Sequence, residues 1–196
     1  RGGSGGARLQ SDILRRLENC EPKWLIGFSD ATSLLNAISI ELGWVTLHGP
    51  TVTLLSAQKD WNADLRSTIN GLTAKASNDQ MTAKHQPLIY GGNITVLASL
   101  MGTIALESIH RHVLLFEDVN EAPYRLDRCL TQIRQCWPVS MIDEVWLGDL
   151  DLDDQVTEEI AGHIEADFGC PVRRGVSAGH RGDLSFIPLG YSTETK

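Results

Sequence analysis

The chain has 196 residues, which suits one large domain or one and a half small ones. Its hydrophobic fraction of 42% is ordinary for a globular protein with a buried core, and its formal net charge is -8. Nucleic acids and anionic membranes bind positively charged protein surfaces. Because this chain is acidic, we expect it to bind neither. No apolar run approaches the roughly 20 residues that a membrane-spanning helix needs, and no signal peptide is visible.

The spacing of the cysteines favours a reducing compartment. There are four, at positions 20, 129, 136 and 170, and none forms a C-x-x-C pair or adjoins a histidine-cysteine metal cluster. We therefore predict reduced cysteines packed in or near a core, and a cytoplasmic location.

The first part of the chain predicts a helix, a strand, a second helix and a second strand. Ser11 is expected to cap a short helix that runs to Cys20. Trp24 to Phe28 is a short apolar run typical of a buried parallel strand. A helix with Asp30 as its cap and Gly43 at its end should follow, and Val45 to Leu47 reads as the next strand.

Residues 56–86 are polar and weakly patterned, and we predict a linker there, with a helix around residues 63–72. It would separate residues 1–55, the remainder of an N-terminal lobe, from a C-terminal lobe at residues 87–196. At the start of that second lobe, Leu88 to Tyr90 predicts a strand, Gly91 and Gly92 a turn, and Asn93 a helix cap.

The remaining sequence continues to alternate strands with helices, which predicts an α/β fold. The apolar run Val113 to Phe116 is a clear buried strand, and it delivers Glu117 and Asp118 at its end. Further elements are a helix from Tyr124 to Cys136, a strand from Glu144 to Leu147, a helix from Val156 to Phe168 and a last strand from Leu184 to Ile187. The aspartates that precede the 156–168 helix are expected to form a solvated loop that caps it.

Three residues in this pattern are candidates for nucleophilic catalysis. Ser29 lies between an apolar strand and a helix, two residues after glycine, where a sharp turn would expose its hydroxyl. Glu117 ends a buried strand, where open α/β sheets place their sites, with Asp118 and Glu121 as neighbouring alternatives. His180 stands in a glycine-flanked turn that could bring an imidazole to the serine. The order serine, acid, histidine is that of serine hydrolases on α/β sheets.

Several segments together resemble the LD-carboxypeptidase family of serine peptidases, which also contains the microcin C self-immunity proteins. The segments are Arg1-Gly2-Gly3, KWLIGFSD at 23–30, His48-Gly49-Pro50, Gly91-Gly92-Asn93, LFEDVNEAPYRLDR at 115–128, Gly179-His180 and Ile187-Pro188-Leu189-Gly190. Their order and spacing match across nearly the whole chain, and the 115–128 segment is the most specific.

The resemblance assigns roles to these positions. It implies Ser29 as nucleophile, Glu117 as the acid and His180 as the base, with glutamate as the triad acid a family trait. The N–H groups of Asp30 and of Gly2 or Gly3 would form the oxyanion hole, and Gly91, Gly92 and Asn93 would bind substrate. No metal or other cofactor is required by the implied reaction.

The implied fold is a parallel-sheet N-terminal lobe and a smaller C-terminal α/β lobe with the site between them. Here the first lobe is expected to be incomplete, because family members usually carry roughly 70 further residues before the Arg-Gly-Gly turn. Homodimers are common in the family, and that expectation extends to this chain.

The implied reaction is hydrolysis of the L,D-amide bond that releases terminal D-alanine from muropeptide tetrapeptides, in cell-wall recycling. Two alternatives stay open. One is an amidase that inactivates peptide-nucleotide antibiotics, as microcin C immunity proteins do. The other is a non-catalytic remnant that binds peptide through the old cleft.

Overall fold

The computed structural model describes residues 3–51, 62–63, 65–67, 70, 88–180 and 185–190. The strands in these residues are β1 (Ile26–Gly27), β2 (Thr46–His48), β3 (Leu88–Asn93), β4 (His112–Glu117), β5 (Ile142–Leu147), β6 (Val172–Arg173) and β7 (Ile187–Leu189). The α-helices are α1 (Gly6–Leu17), α2 (Thr32–Leu42), α3 (Ile94–Ser99), α4 (Pro123–Cys136) and α5 (Asp154–Phe168). Short 3-10 helices span Ser29–Ala31, Leu106–Ser108 and Val139–Met141.

A four-stranded parallel sheet with the order β3-β4-β5-β6 dominates the described residues, so the predicted α/β fold is confirmed. Its strands are short apolar runs because both faces are covered. On one face, Leu114 and Phe116 pack with side chains of α3, α4 and α5. On the other face, Val113 and Leu115 pack with residues of α2 and β7.

Since side chains alternate between the faces of a strand, Glu117 continues the row of Val113 and Leu115. It therefore points to the side of the sheet that carries α2 and β7, where the N-terminal part of the chain packs.

A smaller sheet has the order β1-β2-β7. Strands β1 and β2 are parallel, as predicted for this lobe, but β7 returns from the end of the chain and pairs antiparallel with β2. The predicted boundaries at residues 55 and 87 stay predictions, because residues 52–61 and 71–87 lie outside the described part. Of the predicted helix around residues 63–72, the described residues are 63, 65–67 and 70, and the remaining five lie outside the described part.

One buried amide joins α2 to the larger sheet. The Nδ2 group of Asn36 donates to the carbonyl oxygens of Thr32 and Gly91, both at 2.8 Å, and its Oδ1 accepts from Gly91 N–H at 2.7 Å. Asn36 is fully buried, and each unpaired buried polar group would cost about 1–3 kcal/mol. This contact therefore holds the segment after Ser29 in register with β3.

Local contacts explain where the predicted elements were wrong. Helix α1 begins at Gly6 and not at Ser11, because Gly6 N–H donates to the Asp30 carboxylate at 2.8 Å. Asp30 consequently does not cap α2, which begins at Thr32 without a side-chain cap. Asn93 does cap α3 through Val96 N–H, as predicted, and Asp153 caps α5 in the same way.

The predicted turn at Gly91 and Gly92 is wrong, since both residues lie within β3. Gly91 has a φ of 110°, and a Cβ there would lie 2.1 Å from the carbonyl oxygen of Leu115 on β4. The glycine thus permits close approach of two strands and not a chain reversal. None of the helices in the described ranges is long and apolar enough to cross a membrane.

Candidate active site

Ser29 occupies a strained turn between β1 and α2. Phe28 is extended, with φ of -157°, whereas Ser29 has φ of 59°, in the left-handed region that non-glycine residues rarely adopt. A Cβ at Gly27 would lie 2.8 Å from the Cβ of Ala31, so the turn needs glycine two residues before the serine. This strand-turn-helix geometry is that of a nucleophile elbow.

Of the residues predicted to form the oxyanion hole, Asp30 lies in this turn. Asp30 is in the first turn of the Ser29–Ala31 helix, where N–H groups lack partners within the helix. Its carboxylate accepts a hydrogen bond from Gly6 N–H, and its carbonyl oxygen accepts one from Ser33 Oγ. Gly3 is an exposed residue with φ of 134°, and Gly2 lies outside the described residues. Their role in an oxyanion hole stays a prediction.

The carboxylate of Glu117 lies between two imidazoles. Its Oε2 is 3.2 Å from Nδ1 of His180, and its Oε1 is 3.5 Å from Nε2 of His48. The glutamate side chain is fully buried. Burial alone would raise the pKa of Glu117, but the interactions with His180 and His48 outweigh it and lower the pKa. Glu117 is therefore anionic at neutral pH.

His180 is delivered by a loop that is hydrogen-bonded to the end of β5. Asp149 N–H donates to the carbonyl of Ala178 at 2.9 Å, and Gly148 N–H donates to that of Phe116 at 2.8 Å. A Cβ on Gly148 would lie 2.5 Å from the Ala178 carbonyl oxygen, and one on Gly179 would lie 2.8 Å from the Cβ of Asp149. The His180 loop thus depends on close contact between two backbones.

An aromatic contact brings His180 to the turn that carries Ser29. The ring of Phe28, the residue before Ser29, lies 4.6 Å from the ring of His180, centroid to centroid. The His180 side chain is 20% exposed, whereas Glu117 is fully buried. One edge of the imidazole thus faces the acid while the ring remains within reach of solvent. The structure brings together the three segments that carry Ser29, Glu117 and His180.

The alternative acid Asp118 has different partners from Glu117. Its oxygens accept from Asn93 Nδ2 at 2.9 Å, Thr95 N–H at 3.0 Å and Val119 N–H at 2.8 Å. Burial raises its pKa despite these bonds. Asp118 thus fixes the start of α3. The other alternative, Glu121, pairs with Arg125 at 2.9 Å.

The residues predicted to bind substrate are packed inside the protein. Asn93 donates to Asp118, and its Oδ1 accepts from Val96 N–H and the Thr95 hydroxyl. A Cβ on Gly92 would lie 2.7 Å from Thr32 Oγ1. These contacts support the local fold, and substrate binding by Gly91, Gly92 and Asn93 stays a prediction.

His48 was not predicted as a site residue, although its His-Gly-Pro segment was noted. Its side chain is 2% exposed, and it contacts the acid on the side opposite His180. The signal in the sequence was a histidine at the end of an apolar strand. That signal could not show which carboxylate the histidine would meet.

Comparisons with known proteins cover nearly the whole chain. The model of the LD-carboxypeptidase N-terminal domain matches residues 1–49, and that of the LD-carboxypeptidase C-terminal domain matches residues 87–195. A putative carboxypeptidase of Synechocystis sp. is 33% identical over 99% of this chain and 67% of its own length. The murein tetrapeptide carboxypeptidase of Pseudomonas aeruginosa is 30% identical over 97% of this chain and 68% of its own length. The chain therefore spans about two thirds of the length of these curated relatives.

Solved structures with the same fold include a carboxypeptidase and a self immunity protein. The muramoyltetrapeptide carboxypeptidase from Oxalobacter formigenes superposes with a TM-score of 0.68 at 24% identity, over 97% of this chain and 70% of its own. The microcin C7 self immunity protein MccF has a TM-score of 0.71 at 20% identity, over 96% of this chain and 69% of its own. At these identities the likeness concerns the fold.

Proposed function

The chain belongs to the LD-carboxypeptidase family, and we propose that it carries the catalytic residues of a serine carboxypeptidase that releases terminal D-alanine from muropeptide tetrapeptides. The observation that carries this proposal is the buried Glu117 carboxylate, 3.2 Å from His180 Nδ1, beside a strained serine turn. The proposal includes the cytoplasm as the place of the reaction.

In the proposed mechanism, His180 acts through its Nε2 atom. Because Nδ1 faces Glu117, the tautomer with a proton on Nδ1 leaves Nε2 free to accept the proton of the Ser29 hydroxyl. Glu117 then stabilises the imidazolium that forms. The buried position of Glu117 strengthens this interaction, since water does not screen it.

Ser29 Oγ attacks the carbonyl carbon of the scissile amide, and the carbonyl oxygen becomes an oxyanion. In the proposal, the N–H of Asp30 and that of Gly2 or Gly3 stabilise this charge. When the tetrahedral intermediate collapses, His180 gives its proton to the leaving amine of D-alanine. Water, activated by the same imidazole, then hydrolyses the acyl-enzyme and restores Ser29.

The support for a muropeptide substrate comes from the relatives. The Pseudomonas aeruginosa relative, 30% identical, is a murein tetrapeptide carboxypeptidase, and a Bacillus subtilis relative, 26% identical, is a probable murein peptide carboxypeptidase. The peptide-nucleotide amidase has weaker support, because MccF shares the fold at only 20% identity.

The decisive experiment measures D-alanine release from a purified muropeptide tetrapeptide by the full-length gene product, with Ser29→Ala as the matched control. Release by the wild type and loss in the variant are the expected results. Cleavage of a peptidyl-nucleotide with no release of D-alanine would favour the amidase. Tetrapeptide binding that survives Ser29→Ala, without turnover by the wild type, would favour the non-catalytic alternative.

A further inference from the structure

His48 and His180 contact opposite oxygens of one carboxylate. His180 Nδ1 is 3.2 Å from Oε2 of Glu117, and His48 Nε2 is 3.5 Å from Oε1. The proposed mechanism uses His180 alone. The role of the second, more deeply buried imidazole is therefore open.

A fully buried carboxylate needs donors on both of its oxygens, because an unpaired charge in an apolar environment is costly. No geometrically aligned hydrogen bond reaches either Glu117 oxygen from the described residues, nor either ring nitrogen of His48. Catalytic hydrogen bonds in the absence of substrate are often long or poorly aligned. At Oε1, the ion pair among the described residues is the one with His48 Nε2 at 3.5 Å.

His48 is also linked through its backbone to the nucleophile turn. It pairs with Gly27 across β1 and β2, and Gly49 N–H donates to the Gly27 carbonyl at 2.9 Å. Only Phe28 separates Gly27 from Ser29. The ring of Phe28 packs edge-on against the ring of His48, with 6.3 Å between the ring centroids. Glu117, in contrast, belongs to the larger sheet. The contact between His48 and Glu117 therefore joins the sheet that leads to the serine with the sheet that carries the acid.

The ring of His48 has little freedom to leave this position. Its side chain is 2% exposed, and a Cβ on Gly92 would lie 3.1 Å from its Cδ2 atom. Glycine at position 92 is what leaves room for the imidazole against β3.

We propose that His48 is a positioning residue for the triad. Its Nε2–H donates to Oε1 of Glu117 and orients the carboxylate so that Oε2 faces His180, and the same contact sets the distance between the two sheets at the site. This inference rests on the proposed hydrolase function and adds a fourth side chain to it.

Two polar substitutions of similar size separate this role from simple packing. In His48→Gln, the amide nitrogen can take the place of Nε2 and still donate to Glu117. In His48→Asn, the amide corresponds to Nδ1 and cannot reach that oxygen. We expect kcat for D-alanine release to fall roughly 10- to 100-fold in His48→Asn with KM little changed, because a small misplacement of a catalytic group is costly. His48→Gln should recover most of the loss.

His112→Gln is the control for loss of a buried histidine. His112 lies at the start of β4, five positions before Glu117, and its ring is hydrogen-bonded to Trp137 and His110. Its substitution should lower the unfolding temperature and leave kcat of the folded protein near that of the wild type.

A second readout keeps the test independent of the substrate. The rate at which a fluorophosphonate labels Ser29, followed by intact mass, needs an active triad and no peptide. It should fall in His48→Asn in parallel with kcat. If the wild type is labelled but releases no D-alanine, the substrate assignment fails and the labelling rates alone decide the role of His48.

Other outcomes would overturn the inference. A folded His48→Asn variant with the wild-type kcat and labelling rate would show that Glu117 needs no second donor. Equal losses in folded Gln and Asn variants would exclude donation from Nε2 as the cause. A wild type that neither releases D-alanine nor is labelled would remove the proposed function and this inference with it.

Discussion

The Nδ1 atom of His180 lies 3.2 Å from Oε2 of Glu117, whose side chain is fully buried. Burial would raise the pKa of Glu117, yet the two histidines lower it, so the carboxylate stays charged beside His180. In the proposed mechanism this pairing orients the imidazole and supplies the counter-charge for proton transfer, and it makes Glu117 the first residue to test.

Glu117→Gln should keep the shape of the side chain and remove its charge. We expect kcat for D-alanine release to fall on the order of 10³-fold or more, because a neutral amide stabilises neither the imidazolium nor the required tautomer. Glu165→Gln, on the exposed face of α5 beside Arg174, is the matched control and should be as active as the wild type. A Glu117→Gln variant with near wild-type kcat would remove Glu117 from the proposed triad.

The Ser29→Gly variant should be more stable than the Ser29→Ala variant. Both variants lack the hydroxyl and should be inactive, but the φ of 59° strains alanine and not glycine. Relative to Ser29→Ala, we expect Ser29→Gly to raise the free energy of unfolding by about 1 kcal/mol. Denaturant unfolding of the two variants measures this difference. Equal stabilities would mean that the turn relaxes when the hydroxyl is absent.

Gly148→Ala should displace the loop that carries His180. The new methyl group would lie 2.5 Å from the Ala178 carbonyl oxygen, so the loop must move away from β5. We expect kcat to fall roughly 10-fold or more and stability to fall by about 1–3 kcal/mol.

Gly162→Ala is the control for this glycine substitution. Nothing lies within 4 Å of the added Cβ on α5, so alanine should stabilise the helix by roughly 0.5–1 kcal/mol and leave kcat unchanged. An active Gly148→Ala variant would show that the His180 loop tolerates the displacement.

Because His112 is buried, the free energy of unfolding should decrease as the pH is lowered. Burial lowers the pKa of His112 from 6.5 to about 4, and the hydrogen bond between its Nδ1 and the His110 carbonyl offsets only part of that shift. Between these two pH values the unfolded chain binds a proton that the folded protein does not, so stability is lost as pH falls through this window. The contribution has an upper bound of roughly 3 kcal/mol.

The measurement is the free energy of unfolding as a function of pH for the wild type and His112→Gln. Between pH 7 and about pH 4 the wild type should lose more stability than the variant. His163→Gln, at an exposed position on α5, should keep the wild-type slope. Parallel curves for the wild type and His112→Gln would contradict the assignment.

Local patterns were sufficient for the elements that pack against a sheet face along their whole length. The apolar run before Glu117 predicted β4, and the helical spacing after Asp153 predicted α5, because each pattern reflects contacts with a whole sheet face. The Gly-x-Ser turn was also readable, since Gly27 is required by local crowding against Ala31. Asn93 capped its helix as expected from its own side-chain chemistry.

Other features depended on partners that are distant in sequence. The start of α1 at Gly6 is decided by the carboxylate of Asp30, and the need for glycine at position 91 inside β3 is decided by the neighbouring Leu115 backbone. Glycine has a low intrinsic propensity for both helices and strands, and at these two positions the tertiary contact overrides that propensity.

The sequence by itself determined the α/β alternation, the family and the order of serine, acid and histidine along the chain. The tertiary structure decided which acid meets which base, because the alternation of side chains on β4 turns Glu117 toward β2 while Asp118 bonds to Asn93 and the start of α3. It also decided that His48 joins the site. That contact links two sheets whose strands are far apart in the chain, and no local pattern encodes such a distance.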